Sequence, residues 1–298
     1  MRVAVTGSSG LIGDALVSSL RADGHTVHRV VRSREAAVDG DLYWSVERGE
    51  IDAEGFAGVD AVVHLAGEPL GEHRWDDETK RRIRASRVDG TRLLSEALAG
   101  LSDPPSVLVS GSAVGYYGSR GDEILTEAAG PGDDFLAEVV VAWEAAADPA
   151  RDAGIRVAHP RTGVVIAERG PLIDKVRLPF SLGIGGRIGD GRQWVPWISL
   201  EDEVRALRFL LDGDLDGPVN LVAPNPVQNR ELTEALGEVL RRPTIIPTPL
   251  LGIRVLYGEM GVSLATTSQR VVPRRLQDAG FAFGHPTLRP ALRLALAG

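Results

Sequence analysis

Over its first two thirds the chain alternates short apolar runs with segments of helical period, the pattern of a parallel sheet covered by helices on both faces. The run Arg2–Thr6 has strand character, residues 7–13 are punctuated by glycine, and Leu11, Ile12, Ala15, Leu16 and Leu20 recur at helical spacing until Gly24. Further strands are expected at Thr26–Arg32, Leu42–Val46, Ala61–Ala66, Ser106–Ser110, Arg156–His159 and Val219–Val222, with helices near 77–99, 134–148 and 201–212. This is a doubly wound α/β plan. Past residue 166 the texture changes to a glycine-rich stretch, Gly183 to Gly191, and then to a helix-rich tail broken by prolines. Asn229 reads as the cap of a helix that Pro243 ends. The expected division is 1–165 with 187–223 as the main α/β domain, and 166–186 with 224–298 as a smaller, α-rich lobe.

Within the first unit, Thr6-Gly7-Ser8-Ser9-Gly10-Leu11-Ile12-Gly13 follows a strand and opens a helix, the context that makes a glycine pattern a dinucleotide fingerprint. Gly7 permits the tight turn, Gly10 lets backbone approach a pyrophosphate, and Gly13 lets the helix pack on the strand, while the helix N–H groups favour an anion. At the end of the second strand a carboxylate would bind the ribose hydroxyl of NAD; Arg32-Ser33-Arg34 stands there, which suits the 2′-phosphate of NADP(H). The alternative is that Arg32 and Arg34 are solvated loop residues. Only Lys80 and Lys175 are lysines among 33 basic residues, a bias that fits a GC-rich genome and narrows any lysine chemistry to two positions.

Further motifs extend the pattern: His64-Leu65-Ala66-Gly67, Asp89-Gly90-Thr91 and Ser110-Gly111-Ser112-Ala113-Val114-Gly115-Tyr116-Tyr117-Gly118. With the glycine loop they resemble an extended short-chain dehydrogenase/reductase of Rossmann type. Gly67-Glu68-Pro69, Ser86-Arg87-Val88, Trp143-Glu144, Arg161-Thr162-Gly163 and Tyr257-Gly258-Glu259-Met260 resemble its atypical branch, the epimerase family, over nearly the whole chain. The resemblance implies a cofactor wall of Leu65, Ala66, Gly67, Ser110 and Arg161, and a substrate-binding serine at Ser112.

The departures from that superfamily are as informative. Its Tyr-x-x-x-Lys pair is absent: Glu47, Arg120, Gly121 and Gly261 stand four residues after the four tyrosines, and the helix expected to carry the pair offers Leu136 and Val140. Arg87 occupies the position of an asparagine. The remaining acids for hydride chemistry are Tyr116 and Tyr117, with Ser112 holding the substrate carbonyl and Arg120 or Arg161 supplying the charge lysine would bring; for Tyr116 a structural role is the favoured reading, and for Tyr117 the two readings stand even. His64, inside an apolar strand, belongs to the cofactor-side wall. Gln193 and Trp194 either face substrate from a mobile cover or fill the seam between lobes. Ser199 with Asp202 reads as a helix cap, and Lys80-Arg81-Arg82-Ile83-Arg84 as a solvated basic face.

A net charge of −8 disfavours nucleic acid and anionic membranes as partners. Cysteine is absent and the six histidines have no metal spacing, so no metal site is expected. No apolar run reaches the ~18 residues of a membrane span, and the chain enters a strand at once; a cytoplasmic protein is expected. The expected partner is a small-molecule substrate, and nothing indicates a homo-oligomer. Two functions follow: an NADP(H)-dependent oxidoreductase or epimerase-like enzyme acting on a small carbonyl or carbinol, or an NADP(H)-binding regulator or scaffold without turnover. A strict sugar-nucleotide epimerase ranks third, because that chemistry keeps NAD and the tyrosine–lysine pair.

Overall fold

A computed structural model describes residues 1–35, 37–71 and 74–296; His73 of the sequence reading lies outside them. The central sheet contains β1 (Arg2–Thr6), β2 (Thr26–Val31), β3 (Leu42–Ser45), β4 (Glu50–Ile51), β5 (Ala61–His64), β6 (Val107–Ser110), β7 (Arg156–Thr162) and β8 (Gly217–Leu221). Their spatial order is β8-β7-β6-β5-β1-β2-β3-β4, parallel except for the antiparallel edge pair β3–β4. The chain builds outward from β1 through β2 and β3, then returns to the other side of β1 with β5. That reversal creates a switch point between β1 and β5, and open α/β sheets bind ligands in the crevice above it.

Period-2 alternation divides each strand between two cores. Val3, Val5, Val63, Val107 and Val109 face α1 (Leu11–Ala22) and its later neighbour α5 (Leu200–Asp212). Ala4, Val62 and Leu108 face the opposite layer, where α2 (Asp77–Ala99) contributes Leu94 and Leu98. Both layers are lined by apolar side chains, so the strands read as continuous apolar runs. A third cluster joins Ile166 and Trp197 to Ile173 and Phe180 of α4 (Pro171–Ser181), Leu232 and Leu236 of α6 (Asn229–Leu240), and Leu288 and Leu292 of α8 (Leu288–Leu296).

Three local outcomes differ from the sequence reading. The strand expected at Arg156–His159 runs on to Thr162 through Pro160. Its pairs with β6 stop at Ala158, and Ser112–Ala113 take over only at Arg161, so the missing proline N–H falls in a gap of that ladder. Secondly, the helix expected over 134–148 ends earlier: α3 spans Phe135–Ala145 behind an Asp134 cap, and a separate turn, Asp148–Asp152, opens at Pro149. Thirdly, the cap position of α6 is Gln228, not Asn229, and its N–H donates to Glu231 Oε2 at 2.9 Å; Asn229 Oδ1 instead accepts from the Ile188 N–H at 2.8 Å. Ser199 does cap α5, accepting from Asp202 N–H at 3.1 Å.

The helix α7 (Leu250–Thr266) bends at Gly258, where φ is +66°. Only glycine reaches that conformation without strain. Beyond the bend Glu259 meets Lys80 at 2.8 Å, and Met260 enters a cluster with Trp75, Ile83 and Val139. The basic run at the start of α2 is therefore not wholly a solvated face: Lys80 anchors α7.

Candidate functional site

The glycine turn between β1 and α1 forms one end of the site. A Cβ on Gly13 would lie 2.1 Å from the Gly7 carbonyl oxygen, and one on Gly7, at φ +66°, would lie 2.7 Å from the Leu65 backbone. Gly10 differs: it is exposed, and a Cβ there would meet a single atom, the Gly7 carbonyl oxygen, at 3.3 Å. No side chain caps α1, so its first-turn N–H groups are free to face an anion beside Ser8, Ser9, Leu11 and Ile12. A pyrophosphate fits this cradle: bare N–H donors, a dipole of the right sign, and no Cβ in the way. Arg32 and Arg34 are exposed just past β2, which pairs in register with β1 up to Thr6–Val30. Arg34 stacks 3.8 Å from the Tyr43 ring centroid.

Below this turn lies a buried polar floor. Thr6 Oγ1 accepts from the Leu65 and Ala66 N–H groups at 3.1 and 3.2 Å and meets His64 Nδ1 at 2.7 Å. His64 Nε2 lies 3.0 Å from Thr91 Oγ1, which also accepts from Trp143 Nε1 at 2.9 Å. Burial lowers the His64 pKa to about 4, so the ring is neutral and serves each threonine through one nitrogen. It holds the wall formed by Leu65, Ala66 and Gly67 in place and has no open face for acid–base work.

The second end of the site sits beyond Gly111, where β6 breaks and Ser112–Ala113 move across to pair with Arg161–Thr162. Ser112 Oγ donates to Glu144 Oε1 at 2.6 Å, and Arg161 grips both oxygens of the same carboxylate at 2.8 Å each. Arg161 Nη1 also donates to the Tyr117 hydroxyl at 3.1 Å, which itself donates to Asn220 Oδ1 at 2.7 Å. Burial would raise the Glu144 pKa, but the Arg161 hydrogen bonds and charge, helped by Ser112, hold it below the ordinary carboxylate range. Burial pushes the Tyr117 phenol up to about 12, against the pull of Arg161 and Asn220.

The two tyrosines thus differ. Tyr117 is wholly enclosed with its hydroxyl spent on protein partners. Tyr116 is half-buried, its ring centroid is 3.4 Å from the Arg161 guanidinium carbon, and none of the described residues is hydrogen-bonded to its hydroxyl. Glu144, which the sequence presented only as part of Trp-Glu, is the hub.

Other expected residues take structural positions. Ser110 is fully buried and its hydroxyl has no hydrogen-bond partner. Arg120 pairs with Glu123 at 2.9 Å on the surface. The Gln193 amide is used on the Ile188 and Ala265 carbonyls, and Trp194 Nε1 donates to Asp122 at 2.7 Å, so both fill the seam. One further residue escaped the sequence reading. Glu203, in the first turn of α5, is fully buried; one oxygen accepts from Thr162 Oγ1 at 2.7 Å, the other has no partner, and burial raises its pKa to about 8. In α2, Ser86 and Arg87 clamp one residue between them: Ser86 Oγ accepts from the Glu68 N–H and Arg87 Nη1 donates to the Glu68 carbonyl, both at 3.0 Å. The paired motifs Gly-Glu-Pro and Ser-Arg-Val are thereby one contact.

A glycine cradle at a switch point, with buried polar groups gathered at the strand ends, defines a dinucleotide-binding α/β protein of the short-chain dehydrogenase/reductase kind. Residues 3–221 match the NAD dependent epimerase/dehydratase family, and residues 248–295 match a domain of unknown function, DUF1731. The chain belongs to that family. An epimerase family protein of Mycobacterium tuberculosis is 45% identical over 294 residues, covering 98% of this chain and 97% of its own. The crystal structure of the human epimerase family protein SDR39U1 (isoform 2) with NADPH is 32% identical, with a TM-score of 0.89, and covers 100% of this chain and 99% of its own. A nucleoside-diphosphate sugar epimerase from Corynebacterium glutamicum superposes with a TM-score of 0.82 at 37% identity, over 99% of this chain and 58% of that one. Among the described residues no helix is long and apolar enough to cross a membrane.

Proposed function

We propose that this chain is an NADP(H)-dependent oxidoreductase acting on a small carbonyl or carbinol compound. The observation that carries the reading is the uncapped N-terminus of α1 over its glycine turn, with Arg32 and Arg34 exposed beside it and no carboxylate at the end of β2. The human relative solved with NADPH supports the choice of cofactor. In this reading Gly7, Ser8, Ser9, Gly10, Leu11, Ile12 and Gly13 hold the pyrophosphate, Arg32 and Arg34 the 2′-phosphate, and Leu65, Ala66 and Gly67 the wall. The lobe of residues 166–186 and 224–298 covers the substrate.

Bound NADP(H) supplies hydride transfer. The chain's own part is to place the substrate oxygen and move one proton. Tyr116 is the phenol we assign to that proton, since its hydroxyl is free and Arg161 sets a positive charge against its ring. Ser112 spends its hydrogen on Glu144, leaving its lone pairs to accept from a carbinol O–H. Tyr117 and Arg161 keep Glu144 and Ser112 in position. A second reading, an NADP(H)-binding regulator without turnover, is favoured by the same closure: Tyr117 and Ser112 are both committed to protein partners.

The test is titration with NADPH and NADH by nicotinamide fluorescence, on the wild type and Arg32→Ala. NADPH preference that disappears in the variant supports the phosphate site. Equal, weak binding of both cofactors, unchanged by the substitution, overturns it. Oxidation of bound NADPH by a panel of carbonyl compounds, lost in Tyr116→Phe, then separates enzyme from regulator.

A further inference from the structure

The superfamily's lysine brings a positive charge to the nicotinamide half of the cofactor, and here Val140 stands in its place. Among cations near the cleft, Arg161 is saturated by Glu144 and Tyr117, Arg120 is paired on the surface, and Lys80 and Lys175 reach Glu259 and the Gly71 carbonyl. Arg87 is different. Its guanidinium carbon lies 5.2 Å from the Trp143 ring centroid, and Trp143 is three residues beyond Val140, both buried on one side of α3. It also lies flat against Gly67 in the loop after β5: a Cβ there would come within 3.3 Å of the guanidinium carbon.

Arg87 is only partly satisfied. Nη1 donates to the Glu68 and Ile83 carbonyls at 3.0 and 3.2 Å, and among the described residues Nη2 and Nε have no hydrogen-bond acceptor. Among the described residues no carboxylate is ion-paired with it; Glu68, whose backbone it holds, directs its carboxylate to Arg82 at 3.6 Å. Burial lowers the Arg87 pKa to about 10, against the Glu68 charge, so it stays protonated at neutral pH. Arg87 is half-buried, and its unused nitrogens are not among the enclosed unpartnered atoms, so a ligand can reach them and take charge-assisted hydrogen bonds there. In the doubly wound plan the half containing β1 to β3 takes the adenosine side, where Arg32 lies, and the half containing β5 to β7 takes the other nucleotide. Arg87 stands on the second half.

Resting on the NADP(H) reading, we propose that Arg87 binds the nicotinamide ribose, donating from its unused guanidinium nitrogens to the ribose oxygens, in place of the absent lysine. It also positions the Gly67–Glu68 loop that forms the cofactor wall.

Two probes separate this from its alternatives: NADPH, and adenosine 2′,5′-bisphosphate, which carries the 2′-phosphate but no nicotinamide half. Arg87→Met should weaken NADPH binding by about tenfold or more while leaving the bisphosphate affinity unchanged, which also reports an intact fold. Arg87→Lys should recover part of the loss. Ser86→Ala frees the Glu68 N–H without removing the cation and should cost NADPH at most about twofold. The proposal is overturned if Arg87→Met binds NADPH as the wild type does, if it loses both ligands equally, or if Ser86→Ala loses as much. If the wild type binds neither probe, the NADP(H) reading itself fails, and Arg87 with it.

Discussion

The two ends of the cleft are built from different material. The β1–α1 turn is made of backbone, with Gly7 and Gly13 admitting no side chain and Gly10 leaving room for a ligand. The Ser112–Glu144–Arg161–Tyr117–Asn220 end is made of side chains drawn from four separate segments. The first needs space and dipoles, and its requirements are local. The second balances a buried ion pair against desolvation, so each member depends on the others.

The sharpest way to break this contrast is Arg161→Met, which strands the Glu144 carboxylate. Urea denaturation should show a loss of about 3–5 kcal/mol, much of it recovered when Glu144→Gln is added. Additive losses would mean the two do not form one unit. Next, Gly13→Ala must displace the Gly7 carbonyl, since the 2.1 Å separation is impossible. About 3 kcal/mol of stability should go, together with NADPH binding; an unperturbed melting temperature would show that the turn tolerates a side chain.

The third effect is a pH dependence. Glu203 has its folded pKa raised to about 8, above the unfolded value of about 4.3, so stability is full below the lower value and declines as pH rises through the higher. Glu203→Gln should flatten the stability profile between pH 5 and 8, on the order of 2 kcal/mol, and a slope equal to that of the wild type would contradict the assignment. The smallest effects compare the tyrosines. Tyr117→Phe removes a buried hydroxyl from Asn220 and Arg161 and should cost about 1–2 kcal/mol. Tyr116→Phe should stay within about 0.5 kcal/mol by the same measurement.

Most of the sheet was legible because its strands are continuous apolar runs and α2 carries both period and cap. The glycine turn was legible to the residue. Pro160 hid the end of β7, because the ladder gap that accommodates it is a property of the neighbouring strands. In the sequence Tyr117 stood ahead of Tyr116 as the acid, and only the fold shows that the Tyr117 ring is enclosed while Tyr116 stacks on Arg161. Arg87 read as a departure from a pattern, with no sign of what it touches.

By itself the sequence determined the α/β plan, the dinucleotide cradle and the absence of a Tyr-x-x-x-Lys pair, since these depend on periodicity, glycine and identity at short spacing. The tertiary structure decided which charges are paired, which hydroxyls are spent and which guanidinium is left with open donors. Those depend on distances between residues tens to more than a hundred positions apart in the chain, and on the low dielectric that folding creates around them.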